Sequence, residues 1–213
     1  MHKRKSWWLL IFVSLGVIIP FMAPYLMLDP DSSRVTITSK AIQYPALVTH
    51  IVFAFIALVT GFFQFVDRFH LKKPKLHRFL GRTYVGSIVI SSLLSLVVVL
   101  YIDNFTKSVA FLTLTILWLF TTLKGYRKAV KRSFNEHRKW MIRSFGVTLV
   151  AVSGRIVVPV LLLAYYTLNG FTFPDGRDKM IEEVLHVNIW IGIVLNLVIV
   201  EWIILKSPKG HKN

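Results

Sequence analysis

Cysteine is absent from the 213 residues. That excludes disulfides, iron–sulfur clusters, thiolate zinc sites and covalently attached c-type haem. Acidic residues are scarce, ten against twenty-six Lys and Arg. No HExxH, no GxSxG and no paired aspartates for metal-assisted lipid chemistry occur, which argues against the common hydrolase classes. Repeats of recognisable period and low-complexity tracts are also missing. On the side of the apolar runs away from most Lys and Arg, only two polar segments exceed a tight turn, roughly 29–44 and 168–183, and neither is large enough to bury a core of its own.

What the chain does have is apolar runs. Six stretches, Trp7–Leu28, Pro45–Val66, Tyr84–Ile102, Phe105–Leu123, Ile142–Thr167 and Val184–Leu205, are each close to the length that crosses a bilayer. A hydrocarbon core of about 30 Å takes about 20 helical residues. Without water, every backbone N–H and C=O needs an internal partner, so the stretches must be helices. The expectation is an all-α integral membrane protein: one domain over 1–213, a bundle of six transmembrane helices near 7–28, 45–66, 76–102, 105–123, 138–167 and 182–205. The apolar part of the first run is too long for a cleaved signal h-region of about 7–15 residues, so it reads as a retained helix, bent near Pro20 and Pro24.

Charge sorts to one side. Segments 1–6, 67–83, 124–143 and 206–213 hold twenty Lys and Arg, whereas the opposite loops hold only Arg34, Lys40, Lys107, Arg177 and Lys179. This asymmetry predicts cytoplasmic N- and C-termini in the cell membrane of a bacterium. It also gives the net charge of +16 an ordinary purpose: insertion and contact with anionic lipid headgroups. Nucleic acid is not an expected partner, because the basic residues are divided among short loops beside apolar runs with no binding motif. Trp7, Trp8, Tyr44, Tyr101, Tyr126 and Trp140 fall near run ends, as interface aromatics do.

Function should lie with the few polar groups inside or beside the spans, which are costly in lipid. His50 and Gln64 belong to the second span. Arg155 lies in the fifth, four residues before Pro159, whose missing N–H should kink the helix and free a carbonyl. His186, Asn196 and Glu201 belong to the sixth. His77 and His137 open the third and fifth spans. At 1.5 Å per residue, His50 sits roughly 8 Å below the outer surface, and Glu201 lies roughly 22 Å along the axis from His186. An outer group (His50, His186, Arg155) and an inner group (His77, His137, Glu201, Gln64 and arginines) result. Ser91, Ser92 and Ser95 read as small residues that let helices pack closely.

Histidines from facing helices can be axial ligands to haem iron, with Arg78, Arg82, Arg143 and Arg155 as guanidinium partners for propionates. The same histidines, with Glu201, could instead hold a divalent metal. The leading expectation is a b-type haem- or metal-binding redox protein with a quinone or protein as redox partner. A transporter using Arg155, Asn196 and Glu201 is the second, although the paired broken helices of inverted-repeat transporters are not evident. A non-catalytic factor binding lipid or a partner protein is the third. The plain alternative for each residue is structural: snorkelling side chains at an interface, or Glu201 neutralising Arg82 or Arg143.

The ordered motifs His50…Gly61-x-x-Gln64, His77-Arg78-x-x-Gly81-Arg82-x-Tyr84, His137-Arg138-x-Trp140-Met141-x-Arg143, Arg155-x-x-x-Pro159 and Asn196…Glu201-Trp202 resemble a bacterial family of predicted membrane proteins classed as a domain of unknown function. The resemblance covers roughly 45–205 and implies no particular activity. The layout is also loosely similar to six-helix b-type cytochromes, such as transmembrane ferric and ascorbate-linked reductases. In those two-haem proteins one helix usually carries two histidines about a dozen residues apart. No helix here does.

Overall fold

The computed structural model describes residues 2–65 and 73–206, and every regular element among them is helical. The helices are α1 (His2–Leu26), α2 (Gln43–Gln64), α3 (Pro74–Val99), α4 (Phe105–Val130), α5 (Phe134–Thr148), α6 (Val150–Ile156), α7 (Val158–Leu168) and α8 (Gly176–Lys206), with a short 3-10 turn at Pro30–Ser32. Val66, the end of the second expected span, lies outside the described residues, as do His70 and His211. Five helices are long and apolar enough to cross a membrane, and the bent pair α6–α7 would make a sixth span.

The fifth span differs from the single helix expected over 138–167. It is broken after Thr148 and again at Val157, and α6 and α7 meet at a bend of 40°. Pro159 accounts for the second break: it sits in the first turn of α7, where its missing N–H costs nothing. The first break has no proline. A side chain of α8, described below, bonds a carbonyl at that break. α1, by contrast, runs as one helix through Pro20 and Pro24.

Four helices form a closed ring: α2 packs on α3, α3 on α4, α4 on α5 and α5 back on α2. α3 and α5 therefore face each other across the ring. α8 lies outside it against α4–α7, and α1 covers α2 and α6. Ala57, Phe62, Tyr84, Ile88, Trp118 and Phe145 fill the ring's interior. α2 and α5 approach so closely that a Cβ on Gly61 would stand 2.5 Å from the Phe145 ring. Phe62 and Phe145 pack edge to face at 5.3 Å, and Trp7 of α1 adds its ring at 5.8 Å from Phe62.

The outward faces are apolar. Phe12, Ile116, Leu163, Val198 and Trp202 are all more than half exposed, and α7 has no buried residue. A soluble bundle would not present such a surface; lipid as the solvent explains it. The polar and basic turn between α4 and α5, together with the start of α3, marks what is termed the basic end.

Candidate functional site

Tyr84 is 1% exposed in the ring's centre. Its hydroxyl meets Ser144 Oγ at 2.8 Å and Thr148 Oγ1 at 3.0 Å, both on α5. Trp118 Nε1 of α4 donates to Thr148 Oγ1 at 2.9 Å, and Thr122 Oγ1 meets Ser144 Oγ at 2.7 Å. One hydroxyl network thus ties α3, α4 and α5 together in the dry core. Its members satisfy one another, as buried polar atoms must. The Tyr84 position is visible in the HRxxGRxY motif, but Ser144, Thr148 and Thr122 carry no sequence signal.

That network fixes where His77 and His137 stand. His77 precedes Tyr84 by seven residues and His137 precedes Ser144 by seven. Seven residues are two helical turns, so each histidine lies on the same helix face as its network residue, about 10 Å nearer the basic end. The two residues accordingly share one level on facing helices. The Nδ1 atom of His77 is buried, and Gln64 of α2 donates to the His77 carbonyl at 3.3 Å. His137 Nδ1 lies 2.8 Å from the carbonyl oxygen of Gly125 at the end of α4. Only a protonated Nδ1 can bond to a carbonyl, so the neutral ring carries its lone pair on Nε2.

The other histidines are placed elsewhere. His50 Nδ1 is 2.9 Å from both the carbonyl and the hydroxyl of Ser91, and Ser91 Oγ also reaches the His50 carbonyl at 3.1 Å. His50 therefore ties α2 to α3, and Ser91 does more than allow close packing. His186 lies at the far end of α8 beside Asn104 and Glu182, with Nε2 3.8 Å from the Glu182 carboxylate. α2 and α8 share no packed interface, so His50 and His186 do not line a common space.

Glu201 is occupied by Arg143, which donates from Nε at 2.6 Å and from Nη2 at 2.9 Å. This fork is the bidentate geometry that guanidinium and carboxylate share, and Trp140 stacks on the Arg143 guanidinium at 4.7 Å. Asn196 Nδ2 donates to the Gly146 carbonyl at 3.0 Å, and Asn188 Nδ2 does the same to the Gly154 carbonyl at 3.1 Å. The asparagines are eight residues apart and so are the glycines. α8 thus runs antiparallel to the broken helix in one register and satisfies a carbonyl at each break. Arg155 donates to the Ala151 carbonyl and stacks over Phe21 at 4.6 Å. Arg155, Asn196 and Glu201 consequently have three separate sets of partners. Arg78 and Arg82 are exposed at the basic end, where they line a shallow pocket with Lys75 and Phe79. Among the described residues, no three His, Asp or Glu side chains gather as a metal site would require.

The family described as "Predicted membrane protein (DUF2306)" matches residues 47–204, most of the chain. The chain belongs to this family. The DUF2306 segment takes in the whole ring α2–α5, except the first turn of α2, and the α8 seam up to Ile204. The family description adds a membrane location and no activity. No curated protein and no solved structure matches the chain.

Proposed function

We propose that this DUF2306 protein is a transmembrane redox protein in which His77 and His137 hold the iron of one b-type haem near the basic end. The observation that carries the proposal is their common level on facing helices, two turns from the Tyr84–Ser144 bond. Packed helices lie about 8–10 Å apart, so facing axes of a four-helix ring stand about 11–14 Å apart. That span suits two imidazoles with an iron between them. Haem iron takes two axial side chains, whereas a zinc-type site needs three or four ligands. A pair of histidines with no third His, Asp or Glu gathered beside it among the described residues favours haem over a bare divalent metal.

The residues supply orientation and charge. The Gly125 carbonyl holds His137 in the tautomer that presents Nε2 to a metal, the second-sphere contact that metal-binding histidines usually have. Arg78 and Arg82 are exposed near the start of α3, the helix that carries His77, and their guanidiniums would pair with propionates. The filled Tyr84 layer keeps water out of the core above. A bound haem would supply one-electron transfer, and a quinol or a protein at the cytoplasmic face would be its partner.

The test is the optical spectrum of the detergent-purified protein, oxidised and dithionite-reduced, after expression with haem available. Wild type and His50→Ala should show a Soret band and reduced α and β bands. His77→Ala and His137→Ala should lose most of both. A colourless wild type, or a double variant that keeps full haem occupancy, would sink the proposal.

A further inference from the structure

We propose that Arg34 and Arg155 form a binding site for a phosphate-class oxyanion at the end of the bundle opposite the basic loops. It is independent of the haem proposal and involves none of its residues. The Arg34 and Arg155 guanidiniums each lie 4.6 Å from the centre of the Phe21 ring. One aromatic ring therefore brings two positive charges together from two distant parts of the chain.

Each arginine has one backbone anchor. Pro24 has no N–H to give the Pro20 carbonyl, and Arg34 Nη2 donates to that carbonyl instead at 3.3 Å. Arg155 Nη1 donates to Ala151 of its own helix. Those contacts orient the guanidiniums but do not neutralise them. Among the described residues, neither takes part in an ion pair. The nearby acid Asp31 is held by Lys40 at 2.8 Å. The Nε of Arg155 is buried with no hydrogen-bond partner. An arginine inside an apolar helix with a free donor and a like charge beside it is an expensive arrangement. An anion within reach of both guanidiniums would satisfy the free Nε–H of Arg155 and offset the charge at once.

Depth favours phosphate. Phe21 is five residues from the end of α1, about 8 Å at 1.5 Å per residue. The headgroup layer is about 5–8 Å thick on each side of the hydrocarbon. The pair therefore lies near the level where lipid phosphates reside. α1 is exposed to lipid along much of its length, which leaves a headgroup a lateral way in. A phospholipid headgroup and a free phosphate offer the same oxyanion, and the experiment separates them.

Full-length protein is purified in a non-ionic detergent and its lipid phosphorus per chain is measured after extended washing. Its thermal midpoint is then followed during separate titrations with dioleoylphosphatidylglycerol and with inorganic phosphate. Wild type should be stabilised, and Arg155→Gln and Arg34→Gln should each weaken the response at least tenfold. Arg34 is an exposed loop residue, so Arg34→Gln remains informative if Arg155→Gln does not fold. Stabilisation by the lipid alone identifies a headgroup site, and stabilisation by phosphate as well identifies a site for free oxyanions. No response to either, or an equal response in wild type and Arg34→Gln, overturns the proposal.

Discussion

The Tyr84 hydroxyl is the residue on which most of the core's polar atoms depend, since it joins Ser144 and Thr148 and, through them, Trp118 and Thr122. Tyr84→Phe keeps the ring volume and removes the shared donor–acceptor. Ser144 and Thr148 each lose one bond and keep another, with Thr122 and with Trp118, so the change should cost about 0.5–1.5 kcal/mol per lost bond. A thermal melt in detergent should show a drop in midpoint with unchanged helical circular dichroism; an unchanged midpoint would mean that the network contributes nothing. The sequence displayed Tyr84 in a motif but not its partners. Hydroxyls in helices often bond only to their own backbone, as Thr60 and Thr121 do here. Which of them reaches across to a neighbour depends on helix rotation, which no single segment encodes. Glu201 is a case where the plain structural alternative matches the structure, because a carboxylate near a membrane-helix end usually has a guanidinium beside it.

The broken fifth stretch shows what a helix-scale reading misses. Hydropathy and length mark six apolar stretches, and Pro159 marks one break, but nothing local announces the break after Thr148. Its stabiliser is Asn196, about fifty residues later on α8. In lipid a carbonyl released from the helical ladder needs a donor, and Asn196 and Asn188 are those donors. Asn196→Leu and Asn188→Leu should each destabilise the fold by about 0.6–2 kcal/mol, and the double variant should come close to their sum because the sites are two turns apart. Purified-protein melts would measure this; neutral variants would show that the carbonyls find other donors. Gly61 tests the tight α2–α5 contact in the same way. A Cβ there meets a rigid ring edge at 2.5 Å, so Gly61→Ala should destabilise by about 1–3 kcal/mol through overpacking. At Gly146 an added Cβ would clash with the Val200 side chain, so Gly146→Ala should push α8 outward and weaken the Asn196 bond with it.

At the scale of the whole molecule the two ends differ in chemistry, and this bears on both proposals. The α4–α5 turn and the start of α3 are crowded with Lys and Arg, while Asp29, Asp31, Asp103, Asp175 and Asp178 fall at the other end. By the positive-inside rule the basic end, and with it His77 and His137, would face the cytoplasm. The Arg34–Arg155 pair would then face the outer leaflet. A single orientation would therefore give the proposed histidine site access to cytoplasmic electron donors and the proposed arginine site access to outer-leaflet phosphates. Because the chain lacks cysteine, one introduced thiol at a time reports this orientation without background. Lys131→Cys sits in the exposed α4–α5 turn and Asp175→Cys in the exposed turn before α8. A membrane-impermeant maleimide added to intact cells should label Asp175→Cys and spare Lys131→Cys until the membrane is opened. The opposite pattern would invert the molecule. It would leave the haem and oxyanion chemistry as argued but move their partners to the other sides of the membrane. Labelling of both positions in intact cells would contradict a ring of helices that crosses the bilayer with these turns at opposite faces.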